Sequence, residues 1–388
     1  MRTTTRSVLV LAAGLLVVAG TGVTGALALR DEATARPAAS VVDVPVPLVL
    51  AESAGADGLQ PWGAPLRLVV RNGELRDAVV LGPDDEPLAG SLSGNGWTSG
   101  GQLLPSSEYR VTATVRDAAG QERERSLLVR TADAERVLTA SLSPGDDAVV
   151  GVGQPVAVRL DGPVTDAEAR AALVERLEVT STPVVEGAWR WMTDTELHWR
   201  PAELWPAGTS VDVRVDLDRL ALPDGTWGSG VRTTGFRIGE AVISTVDVAA
   251  HTMTVTRGGE VLRVMKASMG RPEFPTRGGT HLVLEKDARR VMNSDTVGLP
   301  GAYQTEVEHA VRLTYSGTFT HAAPWSVKDQ GVRNVSHGCI NLSPADAKWF
   351  FDLARRGDVV HVVGTDVPPK LDDPGAADWN LSWQEWRG

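Results

Sequence analysis

Cysteine is almost absent: Cys339 stands alone in 388 residues, so no disulfide can form within the chain. Exported proteins commonly use cysteines in pairs, which leaves this thiol three roles: nucleophile, inert buried group, or link to another molecule. Positive charge is short as well. Lys and Arg number 38 against 49 Asp and Glu, a formal net charge of −11, and the lack of a basic footprint argues against a nucleic-acid partner. No HExxH or carboxylate-rich segment completes a metal site. His321, His337 and Cys339 are acceptable zinc ligand types, but nothing supplies the remainder, and neither metal nor other cofactor is expected.

Glycine (40) and proline (23) are plentiful, and both suit turns between short strands better than long helices. The chain opens with Met1-Arg2-Thr3-Thr4-Thr5-Arg6, followed by an uncharged, mostly apolar run from Ser7 to Leu29. Basic residues before such a run are an export signal, and Ala26-Leu27-Ala28 fits a small-x-small cleavage site. The run also approaches the ~20 residues that span a bilayer. Residues 1–30 are therefore a signal peptide or a membrane anchor, and the remainder is expected outside the cytoplasm, at the cell wall or the outer face of the cytoplasmic membrane. No cysteine follows the run, which excludes lipid attachment through a thiol there. Residues 31–46, rich in Ala, Val and Pro, read as a linker.

Beyond the linker, alternation takes over. Leu66, Leu68 and Val70, and likewise Tyr109, Val111, Ala113 and Val115, recur at period two, the mark of half-buried strands. Turns are offered by Arg71-Asn72-Gly73, Gly94-Asn95-Gly96 and Asp117-Ala118-Ala119-Gly120. The layout repeats: the segment from Pro155 echoes that from Pro65, and the segment from Pro206 echoes that from Pro105. Two immunoglobulin-like sandwiches are expected, over residues 47–134 and 135–239. Thr165-Asp166-Ala167-Glu168 reads as a capping box that opens a short helix carrying Ala171, Leu173, Val174 and Leu177, a crossover inside the second sandwich. Trp189, Trp191, Trp199 and Trp205 are candidates for core packing, with a carbohydrate platform as the alternative.

From residue 240 the texture changes. Thr252–Thr256 and Glu260–Val264 flank Arg257-Gly258-Gly259 as a hairpin. A helix is expected after Cys339, with Ser343 as cap, Pro344 first, Asp346 completing a box, and Gly357 as the stop. Trp349, Phe350, Leu353 and Ala354 form its core face. Val359–Val363 returns as a strand, residues 240–364 make one domain, and the aromatic tail within 365–388 is expected to pack back on the preceding domains.

The chemistry gathers around Ser336-His337-Gly338-Cys339-Ile340-Asn341-Leu342. A thiol of ordinary pKa is only slightly ionised at neutral pH and needs a base. His321 and His337 both qualify, and the sequence does not decide which imidazole meets the sulfur. Gly338 permits unusual dihedrals that could turn nearby N–H groups toward one point as an oxyanion hole. His198, His251, His281, His309 and His361 carry no motif and are expected to be structural or solvent-facing.

These residues, with His321-Ala322-Ala323-Pro324-Trp325-Ser326-Val327 upstream, closely resemble the signature of the L,D-transpeptidases with a YkuD-type catalytic domain. The resemblance extends over residues 240–388, including Ser268-Met269-Gly270, Tyr303 and Asp378-Trp379-Asn380. With tandem sandwiches ahead, the chain resembles the actinobacterial members of the family. The resemblance implies a mainly β protein whose catalytic domain carries one or two short helices. It implies attack by Cys339 on the bond between the third residue of a peptidoglycan donor stem and D-alanine. An acceptor amine then resolves the thioester into a 3→3 cross-link, and carbapenems act as covalent inhibitors. His321 would be the base, with Gly338, Cys339 and the Tyr303 hydroxyl holding the oxyanion. His337 would join the catalytic residues, and Ser336, Asn341, Trp325, Met292 and Ala322 would contribute to binding the substrate or the oxyanion. Tyr303 could equally be an ordinary buried tyrosine, Met292 a core filler, and Asn341 a turn or cap group. Ala322 departs from the commoner Ser or Gly, the Pro-Thr-Arg-Gly-Gly stretch is unusual, and the loop between Met292 and Tyr303 is short. Two alternatives stay open: an L,D-carboxypeptidase that resolves the same thioester with water, and a wall-binding scaffold without activity.

Overall fold

The computed structural model describes residues 46–52, 54–294, 301 and 304–388. The expected signal or anchor at 1–30, nearly all of the linker, and Tyr303 lie outside the described residues. Residues 46–388 form one compact unit, mostly strand, and its four described helices are ten residues long or shorter.

The first layer is two sheets around one core. Leu48–Ala51, Pro65–Arg71, Gly96–Gln102 and Gly90–Ser93 lie side by side in that order, and Glu108–Arg116 sits between Glu74–Leu81 and Glu122–Arg130. Alternation sends Leu66, Leu68 and Val70 inward to meet Tyr109, Val111, Ala113 and Val115, all buried. Gly94-Asn95 and Asp117–Gln121 close hairpins as expected. Asn72-Gly73 does not. It carries the chain from one sheet to the other, with Asn72 at φ 59, a left-handed conformation that asparagine tolerates. The Asn95 side chain pins this crossing, accepting from Leu75 N at 2.7 Å and donating to Val70 O and Gly73 O.

The second layer repeats the strand pairings. Val156–Leu160 lies between Ala140–Ser143 and Glu196–Pro201, as Pro65–Arg71 lies between its own neighbours, and Ser210–Asp216 lies between Leu177–Thr182 and Val231–Ile238, as Glu108–Arg116 does between its own. Where the first layer crosses by a tight turn, the second inserts the helix Ala167–Val174. Its cap is Asp166, whose carboxylate accepts from Ala169 N at 2.8 Å, one residue later than the expected Thr165. The frame shift alters the buried face: Ala169 and Leu173 point inward, Ala171 outward, and Leu177 belongs to the next strand. Trp199 and Trp205 are core, their rings 5.2 Å apart, and Trp205 Nε1 donates to Gln154 O. Trp189 and Trp191 pack against the same cores, so no exposed aromatic platform forms there.

The third region has a five-stranded sheet in the order Glu260–Lys266, Thr252–Arg257, Val242–Asp247, Val359–Val363, Gly279–Leu282. A four-stranded sheet runs Glu285–Asn293, Gln304–Arg312, Phe319–Ala322, Ile340–Leu342. The expected hairpin forms, its turn residues Gly258 and Gly259 both at positive φ. The helix Pro344–Leu353 starts on Ser343, whose hydroxyl accepts from Asp346 N and donates to its carboxylate. Ala347 and Phe350 are its buried residues, Ala354 just past its end is buried too, and Trp349 and Leu353 are only partly covered. Gly357 is not the stop. The helix ends at Leu353, where Lys286 donates to Phe351 O and Ala354 O, supplying from another strand the terminal donor that glycine was expected to replace.

The core of the second layer includes Leu282 and Val359 of the third region. The tail fastens the same seam. Trp379 Nε1 donates to Gly153 O, Trp386 Nε1 to Ala188 O, and the Arg200 guanidinium lies over the rings of Trp379, Trp383 and Trp386.

Candidate active site

Two parallel strands deliver the reactive residues. Phe319–Ala322 pairs with Ile340–Leu342 so that Thr320 faces Ile340 and His321 faces Asn341. Cys339 therefore enters at the start of one strand while His321 sits within its neighbour. Both line a cavity of about 300 Å³, together with Met292, Trp325, Ser336 and His337. The imidazole and the thiol, distant in sequence, face one space.

The loop that presents Cys339 is tied down by side chains. Ser336 Oγ donates to Cys339 O at 2.6 Å and accepts from Gly338 N at 3.1 Å. Thr276 Oγ1 donates to Gly338 O at 2.8 Å and accepts from Gly270 N. Asn334 accepts from Met269 N and donates to Val248 O, and Ser268 Oγ accepts from Val335 N. Gly338 has φ +119, and a Cβ there would meet nothing within 4 Å. Glycine is needed for its backbone conformation, not for room.

His321 is 4% exposed, and its Nδ1 donates to Ala322 O at 2.9 Å, an assignment that leaves Nε2 as acceptor. Burial lowers its pKa, and the bond to Ala322 only partly opposes this. Cys339 is half-buried, and burial pushes its thiol up to about 11 against a weaker opposing bond from the Phe319 backbone. Its sulfur lies 3.7 Å from Gly317 O. Both shifts favour the uncharged forms, so the resting pair is thiol and neutral imidazole.

The His337 ring packs tilted at 58° to that of Phe274, centroids 4.9 Å apart, and burial, followed by the nearby Arg271 charge, lowers its pKa. Trp325 is 53% exposed, its ring 6.0 Å from that of His321. Met292 packs with Cys339 against Val307, Ala310 and Phe319, so it is at once core filler and cavity wall. Asn341 is buried and donates to Ser326 Oγ, which also takes a bond from Gln330. Ala322 contributes its carbonyl rather than its side chain. Sequence reasoning missed Thr276 and two residues that line the cavity, Gly317 and Asp329. The first lay inside the atypical Pro-Thr-Arg-Gly-Gly stretch, and the other two carried no pattern. Among the described residues no group of three His, Cys, Asp or Glu side chains converges to hold a metal ion.

Comparison with known proteins agrees with this geometry. Residues 241–362 match the L,D-transpeptidase catalytic domain (YkuD), and residues 58–221 match a bacterial Ig domain. L,D-transpeptidase 2 of Mycobacterium tuberculosis is 38% identical over 332 residues, covering 84% of this chain and 80% of the relative. L,D-transpeptidase 1 of the same organism is 44% identical over 229 residues, 58% of this chain and 84% of the relative. The solved structure of LD transpeptidase LdtMt1 in complex with imipenem superposes with a TM-score of 0.52 at 41% identity, covering 58% of this chain and 98% of that one. An Ig-like region ahead of a YkuD domain, with a cysteine and a histidine sharing its cavity, places this chain in the L,D-transpeptidase family of enzymes.

Proposed function

We propose that this chain acts outside the cytoplasm as a peptidoglycan L,D-transpeptidase that forms 3→3 cross-links, held near the membrane by residues 1–30, with the region around His321 and Cys339 as one domain (240–364) behind two sandwiches (47–134 and 135–239). The observation that carries this reading is the shared cavity of Cys339 and His321 with Nδ1 fixed on Ala322 O. With a thiol at about 11, free thiolate near neutrality is about one part in ten thousand. The base must act during attack. His321 Nε2 takes the thiol proton as sulfur adds to the carbonyl between the third residue and D-alanine of the donor stem, and the imidazolium returns that proton to the leaving D-alanine amine. The acceptor's side-chain amine then bonds to the thioester carbonyl carbon, the C–S bond breaks, and the amine's proton passes through His321 to the Cys339 sulfur.

The family resemblance assigns the oxyanion to the N–H of Cys339 and the Tyr303 hydroxyl. The Gly338 N–H already donates to Ser336 Oγ and could serve only by releasing that bond. The imipenem complex of a relative supports acylation of Cys339 by carbapenems.

Incubating the purified chain with disaccharide-tetrapeptide tests the reading by mass. A dimer lacking one D-alanine supports cross-linking. Tripeptide alone makes the chain an L,D-carboxypeptidase, and unchanged substrate makes it a scaffold. Cys339→Ala should abolish product, and comparable turnover by that variant would exclude the mechanism.

A further inference from the structure

Part of the wall around Cys339 is a turn that the far end of the chain holds. Residues 313–318 join the strands Gln304–Arg312 and Phe319–Ala322, and the turn closes as Leu313 N donates to Thr318 O and Thr318 N to Thr314 Oγ1 at 2.8 Å. Within it Gly317, at φ +112, lines the cavity, and its carbonyl accepts from the Cys339 thiol across 3.7 Å. The reactive sulfur is thus aimed by a main-chain oxygen. Its position is set by wherever this turn is held.

The hold comes from the C-terminal extension. Asp373, 5% exposed, accepts from Ser316 N on both carboxylate oxygens, at 3.1 and 3.0 Å, and from Ser316 Oγ on Oδ2. Ser316 Oγ also lies 3.2 Å from Thr314 Oγ1, the oxygen that closes the turn. Asp373 is fixed in its own turn, its N–H donating to Lys370 O and its carbonyl accepting from Ala376 N, just ahead of the helix Ala377–Asn380 that carries the Asp378 partner of His198. A carboxylate is costly to bury. This one directs its side-chain bonds to Ser316, an exposed residue adjoining the carbonyl that meets the thiol. Contacts to reacting atoms need such a supporting shell, since about 0.5 Å of play is enough to spoil them. We propose that Asp373 is a positioning residue for the nucleophile: through Ser316 it sets the Gly317 carbonyl that aims the Cys339 thiol into the cavity. This inference rests on Cys339 as the nucleophile of the transpeptidase reading, and gives the C-terminal extension a part in the reaction besides fastening the seam.

Because Cys339 is the only thiol, the full chain has a single S–H stretching band in the infrared, and Cys339→Ala identifies it by its loss. In wild type the band should lie at the low frequency of a thiol that donates a hydrogen bond. Asp373→Ala should move it to higher frequency and slow acylation by imipenem roughly tenfold, within the loss that follows from misplacing a reacting atom. Alkylation by iodoacetamide, which needs no aligned partner, should change less. Asp373→Asn keeps an oxygen for the Ser316 N–H and should restore most of both signals. Ser316→Ala removes only the hydroxyl bond, should give an intermediate band and rate, and repeats the test with the buried carboxylate in place. A band unmoved in Asp373→Ala and Ser316→Ala overturns the proposal even where acylation slows, because the extension then only braces the fold. A band that shifts while acylation keeps its wild-type rate overturns it too. Wild type that resists imipenem while its band still responds to Asp373 counts against the transpeptidase reading and leaves the hold on the thiol standing.

Discussion

Two histidines are almost equally buried, His321 at 4% exposed and His198 at 8%, and the protein drives them to opposite charge states. His321 meets a main-chain carbonyl, so burial prevails and its pKa falls. His198, at the seam between the second layer and the tail, is desolvated too. Asp378 at 2.7 Å and Glu196 at 3.2 Å outweigh that cost and raise it to about 9. Burial alone does not set an imidazole's role. A neutral one with a free Nε2 is a base, and a charged one between two carboxylates is a clamp.

If the comparison holds, removing each ring breaks a different property. His321→Ala should slow acylation by imipenem by roughly 10²–10⁴-fold, the range for losing a general base, and leave the unfolding midpoint near wild type. A delayed mass shift on the intact protein reads the first, and a urea titration reads the second. Unslowed acylation would transfer the base role to His337, which shares the cavity.

His198→Ala should do the reverse. It strips the imidazole from Asp378, 1% exposed, and from Glu196 on the other ring nitrogen, and breaking one partner of a buried pair costs about 3–5 kcal/mol. Acylation by the folded enzyme should persist. A variant that kept wild-type stability would show the clamp to be ornamental and the Arg200–tryptophan stack to hold the tail alone.

The pH dependence sharpens the same contrast. His198 is raised from 6.5 to about 9, so its stabilising contribution is complete below 6.5 and is lost as pH rises through about 9. Thermal midpoints should fall across that window in wild type, and more shallowly in His198→Gln. For His321 the lowered value keeps the base neutral below the ordinary histidine range near ~6.5. The acid limb of the acylation rate should therefore lie under that value.

The site was legible in sequence and the clamp was not, for a physical reason. The chemistry proposed for Cys339, His321, Gly338 and Ser336 tolerates few residue types at fixed spacing, so their string is informative by itself. His198 and Asp378 lie 180 residues apart, and any two strands brought together by folding could carry such a pair. The strand alternation of Leu66–Val70 and Tyr109–Val115 was equally legible, since period two reports burial directly. The helix boundaries slipped where one of two adjacent capping side chains prevailed or where a side chain from another strand intervened. Asp166 outcompeted Thr165 for the cap, and Lys286 ended the helix before Gly357 could.

The smallest expected effect tests what holds His321 neutral and aimed. Among the described residues, the carbonyl of Ala322 is what holds the ring Nδ1, and the Ala322 methyl packs into the core. Ala322→Gly keeps that carbonyl and the strand pairing to Leu342, and removes only packing. Stability should drop by about 1 kcal/mol, the usual entropy cost of a strand glycine, while the acylation rate stays within about twofold of wild type and its acid limb does not move, as expected when the tuning contact is unchanged. A limb displaced upward would mean that the methyl's desolvation, rather than the surrounding wall, keeps the imidazole uncharged against the opposing carbonyl bond, and the contrast with His198 would then rest on one side chain.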